Sequence, residues 1–72
     1  MTPRLPRLIA KEVERVLTAH GFVVVRQHGS HRILRDSQGH RVTLPVHGHK
    51  ILHPRVLQMI IEDAGLSPDD FG

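Results

Sequence analysis

Apolar residues recur at Ile9, Val13, Val16 and Leu17, with Lys11, Glu12, Glu14 and Arg15 on the other sides. Steps of three and four predict a helix over residues 10–20. Gly21 closes it as a C-terminal cap. Its start is poorly signalled, because Ile9 and Ala10 sit where Ser, Thr or Asp would cap. The pattern then changes period. Residues 22–27 predict a β-branched strand, apolar on both faces from Phe22 to Val25, which points to a covered or central strand. Residues 31–35 predict a second strand and Asp36-Ser37-Gln38-Gly39 a turn. Residues 40–46 alternate: Val42, Leu44 and Val46 point one way, Arg41, Thr43 and Pro45 the other. That is a strand with one buried and one open face. Pro45 cannot donate to a ladder, so this strand ends at an edge or just outside the sheet.

His47-Gly48-His49-Lys50 reads as a basic loop. His53-Pro54 opens a second helix, with proline in the first turn where its missing N–H costs nothing. Leu57, Ile60, Ile61 and Ala64, joined by Val56, form its buried face, and Gly65 ends it. Ser67-Pro68-Asp69-Asp70 signals one more turn. Residues 1–7, with two prolines and two arginines, read as an extended lead-in. The order is helix, strand, strand, strand, helix. Short connections make the three-stranded sheet antiparallel, and both helices then cover one face: a two-layer α+β domain.

At 72 residues the chain reads as one domain, spanning 1–72. Such a length buries only roughly 60% of its unfolded surface. A polymer bound across the surface suits it better than an enclosed metabolite. The absence of cysteine removes disulfides and thiolate metal sites. No run has signal-peptide or membrane-spanning length, so the expectation is a cytoplasmic protein without membrane attachment.

Charge is unevenly placed. Residues 20–58 hold six Lys/Arg (Arg26, Arg32, Arg35, Arg41, Lys50, Arg55), all seven histidines and a single acid, Asp36. Residues 59–72 hold four acids and neither Lys nor Arg. A basic middle fits a polyanion-binding face, and it also fits a solvated surface with a chance imbalance. Two Phe and no Tyr or Trp argue against base stacking on an aromatic platform. Contacts to phosphates and sugars would have to dominate.

Candidate chemistry centres on Gly29-Ser30-His31, between the first two strands. Glycine allows a tight turn or close approach to a ligand. Histidine is the side chain suited to proton transfer near neutral pH. The plain reading is two turn formers and a polar residue at a hairpin tip.

The same residues carry a family resemblance. It runs from about Leu5 to Phe71, through Lys11-Glu12-Val13, Gly21-Phe22, Arg26-Gln27-His28-Gly29-Ser30-His31 and Val42-x-Leu44-Pro45-Val46-His47-Gly48. It continues through Leu57-x-x-Ile60, Ala64-Gly65-Leu66-Ser67 and Phe71. Each fragment alone is weak; all of them in order resemble the HicA (YcfA-like) toxins of toxin–antitoxin systems. The resemblance implies a fold like the double-stranded RNA-binding domain, a toxin that cleaves messenger RNA, and a HicB-type antitoxin that covers its active site. It implies that His31, in the Gly-Ser-His motif, is catalytic.

RNA carries its own nucleophile, the 2′-hydroxyl. His31 could remove that proton, with Arg or Lys neighbours steadying the charge on phosphorus. This mechanism needs no metal or other cofactor. For RNA contact the candidates are the Gly29-Ser30 backbone, Arg26 and His47. Lys50 and Arg55 join them near the start of the second helix, where free N–H groups favour anions. Arg32 follows His31 but points to the opposite side in a regular strand. His40, His47, His49 and His53 superficially suggest a metal site, yet zinc usually takes three or four ligands, often with Cys or carboxylate among them. His20 and His28 read as surface residues. The alternative function is a non-catalytic double-stranded RNA-binding module; a weaker one is a protein-docking domain, disfavoured by the scarcity of aromatic anchors.

Overall fold

A computed structural model describes residues 5–72. Residues 1–4 of the expected lead-in lie outside the described residues, and Leu5–Arg7 carry no regular secondary structure. The elements follow the predicted order: α1 (Ala10–Ala19), β1 (Val23–His28), β2 (His31–Arg35), β3 (Arg41–Pro45) and α2 (Pro54–Ala64), then a 3₁₀ turn over Pro68–Phe71. The strands form one antiparallel sheet in the order β1-β2-β3. Chain order and spatial order coincide because each connection is a short hairpin.

Both helices lie on one face of the sheet. Ala10, Val13 and Leu17 of α1 and Leu57, Ile60, Ile61 and Ala64 of α2 are buried with Leu34 of β2 and Val42 and Leu44 of β3. Phe22, Leu52 and Phe71 complete this core. Its buried residues are all apolar, so the fold is held by hydrophobic burial, with polar groups placed at element ends.

Those ends explain the helix boundaries. At α1 the missing Ser, Thr or Asp cap is replaced from inside the helix. The Glu12 carboxylate accepts the Ile9 N–H at 3.0 Å, the reach-back half of a capping box. Glu12 is therefore a capping residue as well as a solvent-side one. At α2 the ring of His53 acts as the cap, its Nδ1 accepting the Arg55 N–H at 3.1 Å. The last turn is closed by Asp70, whose carboxylate accepts the Ser67 N–H at 2.8 Å. Phe71 then seats in the core beside α1.

One expectation fails. The first strand is neither central nor covered. It is an edge strand, its six residues are all exposed, and Val23, Val24 and Val25 keep 60%, 45% and 52% of their surface. The helices pack chiefly against β3, so their cover stops short of β1. Three β-branched residues favour extended backbone whether or not they are buried. The strand also runs one residue later than predicted, leaving Phe22 before it and taking in His28. Its register jumps from Val24↔Leu34 to Arg26↔Ile33, so Val25 is the extra residue of a β-bulge. Among the described residues no helix is long and apolar enough to cross a membrane.

Candidate functional site

The covered face of the sheet is fixed by Leu34, Val42 and Leu44, none of which keeps measurable exposure. Alternation then puts His31, Ile33 and Arg35 of β2, and Arg41, Thr43 and Pro45 of β3, on the open face. Directly paired residues share a face. The pairs Val23↔Arg35, Arg26↔Ile33 and His28↔His31 therefore bring Val23, Arg26 and His28 to that side as well. The open face thus carries three arginines and two histidines, and all five side chains are exposed. The covered face supplies the core; the open face gathers charge.

Gly29 and Ser30 are the two central residues of the β1–β2 hairpin. Gly29 has φ +59° and Ser30 does not share the positive φ, the pattern of a II′ turn. A Cβ at Gly29 would meet nothing within 4 Å. The turn therefore needs glycine for its backbone, and the space outside it is open to a ligand. The turn's consequence is placement: His28 and His31 stand opposite each other as the hairpin's closing pair. The Val46 N–H donates to the Ser30 carbonyl at 2.6 Å, which draws the chain beyond β3, and with it His47, alongside the turn.

Of the residues expected at the site, Arg26, Gly29, Ser30, His31 and His47 thus come together at one end of the sheet. Lys50 and Arg55 lie outside the sheet, in the loop after His47 and in the first turn of α2. The Lys50 N–H closes a turn on the His47 carbonyl (3.1 Å), Ile51 bridges to Ile9, and the Leu52 N–H donates to Leu8 (2.9 Å). This anchors the stretch to the segment before α1. Arg55 lies in the first turn of α2, where its N–H already has the His53 ring as partner. Arg32 points to the helix side and pairs with Glu14, as alternation requires.

The histidines divide in the same way. His40 is held by Asp36: Nδ1 donates to one carboxylate oxygen at 2.7 Å, while the other accepts the Gln38 and His40 N–H groups at 3.0 and 2.8 Å. Desolvation works to raise the Asp36 pKa, but the hydrogen bonds from His40 and Gln38 prevail and hold it below the ordinary value. His53 is occupied as a cap. Two of the four histidines that suggested a ligand set, His40 and His53, thus each have a separate partner.

Reading the residues alone left three members of the open face out of the candidate site, although it did place Arg41 on the open side of its strand. Arg35 and Arg41 are paired across β2 and β3, and their common side could have been found from the alternation of both strands. His28 was left outside the strand. The two-residue Gly29-Ser30 spacing was the signal that it faces His31.

A comparison with protein-family models matches residues 10–66 to the HicA toxin of bacterial toxin–antitoxin systems. The chain belongs to the HicA toxin family. The match spans both helices and all three strands, so it covers the hairpin and the open face together. A comparison with curated proteins gave no match. As a HicA-family toxin, the molecule is one half of a toxin–antitoxin pair.

Proposed function

We propose that this HicA-family toxin is an endoribonuclease that cleaves messenger RNA in the cytoplasm, and that a HicB-type antitoxin silences it by covering the open end of the hairpin. The observation that supports this is the exposed His31, presented at the head of a face lined by Arg26, Arg35 and Arg41. Guanidinium groups bind phosphate oxygens as fixed forks. They hold the backbone while the imidazole removes the 2′-hydroxyl proton. The freed oxygen attacks the adjacent phosphorus, and the P–O5′ bond breaks. Proton transfer of this kind contributes roughly 10²–10⁴-fold. The step uses no metal.

The test is a matched pair. Purified wild type and His31→Ala are incubated with RNA, with and without EDTA, and the product ends are analysed. Cyclic 2′,3′-phosphate ends from the wild type in EDTA, and intact RNA with His31→Ala at unchanged RNA affinity, are expected. Cleavage by the variant at the wild-type rate would refute the role of His31. A second reading, a binding module of the double-stranded RNA type without catalysis, is favoured by the order of elements. It predicts RNA retained whole by both proteins.

A further inference from the structure

Breaking a P–O5′ bond by a 2′-hydroxyl needs two proton transfers. One proton leaves the 2′-oxygen, and another must reach the 5′-oxygen as it departs. His31 accounts for the first under the function proposed above, on which the present inference rests. The open face shows what stands ready for the second. Opposite His31 on β3 is Pro45, which has nothing to donate, and the next pair on that side is Ile33 and Thr43. Arg26 and Arg35 are cations that do not give up a proton in proteins. Directly opposite His31 on β1 is His28, exposed and locked in register by a two-residue turn.

We propose that His28 is the general acid that works against His31 as the base. Directly opposed residues hold their β-carbons roughly 4.5–5.5 Å apart. Two rings rooted at that spacing can reach the two oxygens on opposite sides of one phosphorus, each at a hydrogen-bond distance of roughly 2.6–3.2 Å. His31 takes the 2′-hydroxyl proton; the 2′-oxygen forms a bond to phosphorus; the P–O5′ bond breaks, and His28 gives its proton to the 5′-oxygen. The products are a cyclic phosphate and a 5′-hydroxyl. His31 ends with one proton more and His28 with one fewer, and water restores both. His47, drawn beside the turn through Val46, is the competing donor. It stands in the loop past the end of β3, where no ladder pairing fixes it against His31.

The experiment replaces the leaving oxygen with sulfur. An RNA with a single 5′-bridging phosphorothiolate expels a thiolate, which departs without help from an acid. His28→Ala, His28→Gln, His31→Ala and His47→Ala are each assayed on this substrate and on its all-oxygen counterpart, after thermal melts and RNA binding confirm intact folding. His28→Ala and His28→Gln should lose roughly 10²–10⁴-fold on the ordinary RNA and recover most of it on the sulfur substrate. His31→Ala should stay inactive on both. A rate for His28→Ala equal to wild type on ordinary RNA, a loss that sulfur does not restore, or a sulfur rescue seen with His31→Ala or His47→Ala instead overturns the assignment. If wild type cuts to cyclic ends while His28→Ala is unimpaired, only the role of His28 falls. If wild type leaves no cyclic ends, the ribonuclease reading falls and takes this one with it.

Discussion

Arg32 of β2 and Glu14 of α1 form an ion pair across the covered face, although Arg32 is the immediate neighbour of His31 in the chain. The pair ties sheet to helix at the margin of the core, with roughly a third of each side chain still exposed (32% and 27%). A pair so placed contributes about 0.2–1 kcal/mol. It gives a partner to an arginine that alternation already places on the helix side.

Arg32→Ala should therefore lower stability by no more than about 1 kcal/mol and leave RNA cleavage close to wild type. A denaturant-melt cycle with Glu14→Ala and the double variant measures the coupling. A large loss of cleavage by folded Arg32→Ala would show that this side chain reaches the substrate after all.

Acid sensitivity should trace to two turns, the one between β2 and β3 and the one after α2. Desolvation raises the Asp36 pKa, but His40 and the Gln38 and His40 amides lower it further, leaving it below the ordinary carboxylate value. Asp70 is lowered too, first by the Ser67 N–H, against desolvation, and also by the Ser67 hydroxyl and His20. A carboxylate depressed in the folded state binds fewer protons there than in the unfolded chain near pH 4. The stabilisation is present above the unfolded value of about 3.9 and is lost as pH falls through the lower folded value. Asp36→Asn should flatten the fall in melting temperature on the acid side of the unfolded carboxylate value, about 3.9, relative to wild type. An acid limb of unchanged slope in thermal melts would show that the Asp36 clamp does not control it.

The edge position of β1 makes a prediction about packing and shows where the sequence was legible. Alternation in β3 placed Val42 and Leu44 inside and Arg41 and Thr43 outside, and the structure agrees, because one face of that strand meets the helices. The same logic failed at Val23-Val24-Val25, whose apolar character serves the extended backbone at an uncovered edge. The Gly29-Ser30 turn was legible as a turn. Its pairing of His28 with His31 depended on a strand boundary one residue away, and such boundaries are what periodicity fixes least well. Lys50 and Arg55 were assigned to the start of the second helix for its free N–H groups, and the structure puts Arg55 in the first turn of α2 and Lys50 in the loop before it, held through Ile51 and Leu52 to Ile9 and Leu8. Val24→Thr should change stability by no more than about 0.5 kcal/mol. Leu44→Ala, in the core, should cost about 2–5 kcal/mol. Equal losses in paired denaturant melts would mean that β1 is covered in solution.

The open-face arginines separate binding from chemistry. Arg26, Arg35 and Arg41 lie on the side of the sheet that the helices leave bare. Under the proposed function each neutralises phosphate charge and takes no part in proton transfer. Every phosphate contact to a single strand releases counterions and adds about 0.7 to the slope of log affinity against log salt. Arg35→Ala and Arg41→Ala should each weaken RNA binding and reduce that slope by about 0.7. At saturating RNA their cleavage rates should stay near wild type, because neither side chain stands opposite His31. Fluorescence anisotropy over a salt series gives the slope, and single-turnover cleavage gives the rate. An unchanged slope for both variants would move the RNA path off the sheet and onto the helix side, where Lys50 and Arg55 become the next residues to change.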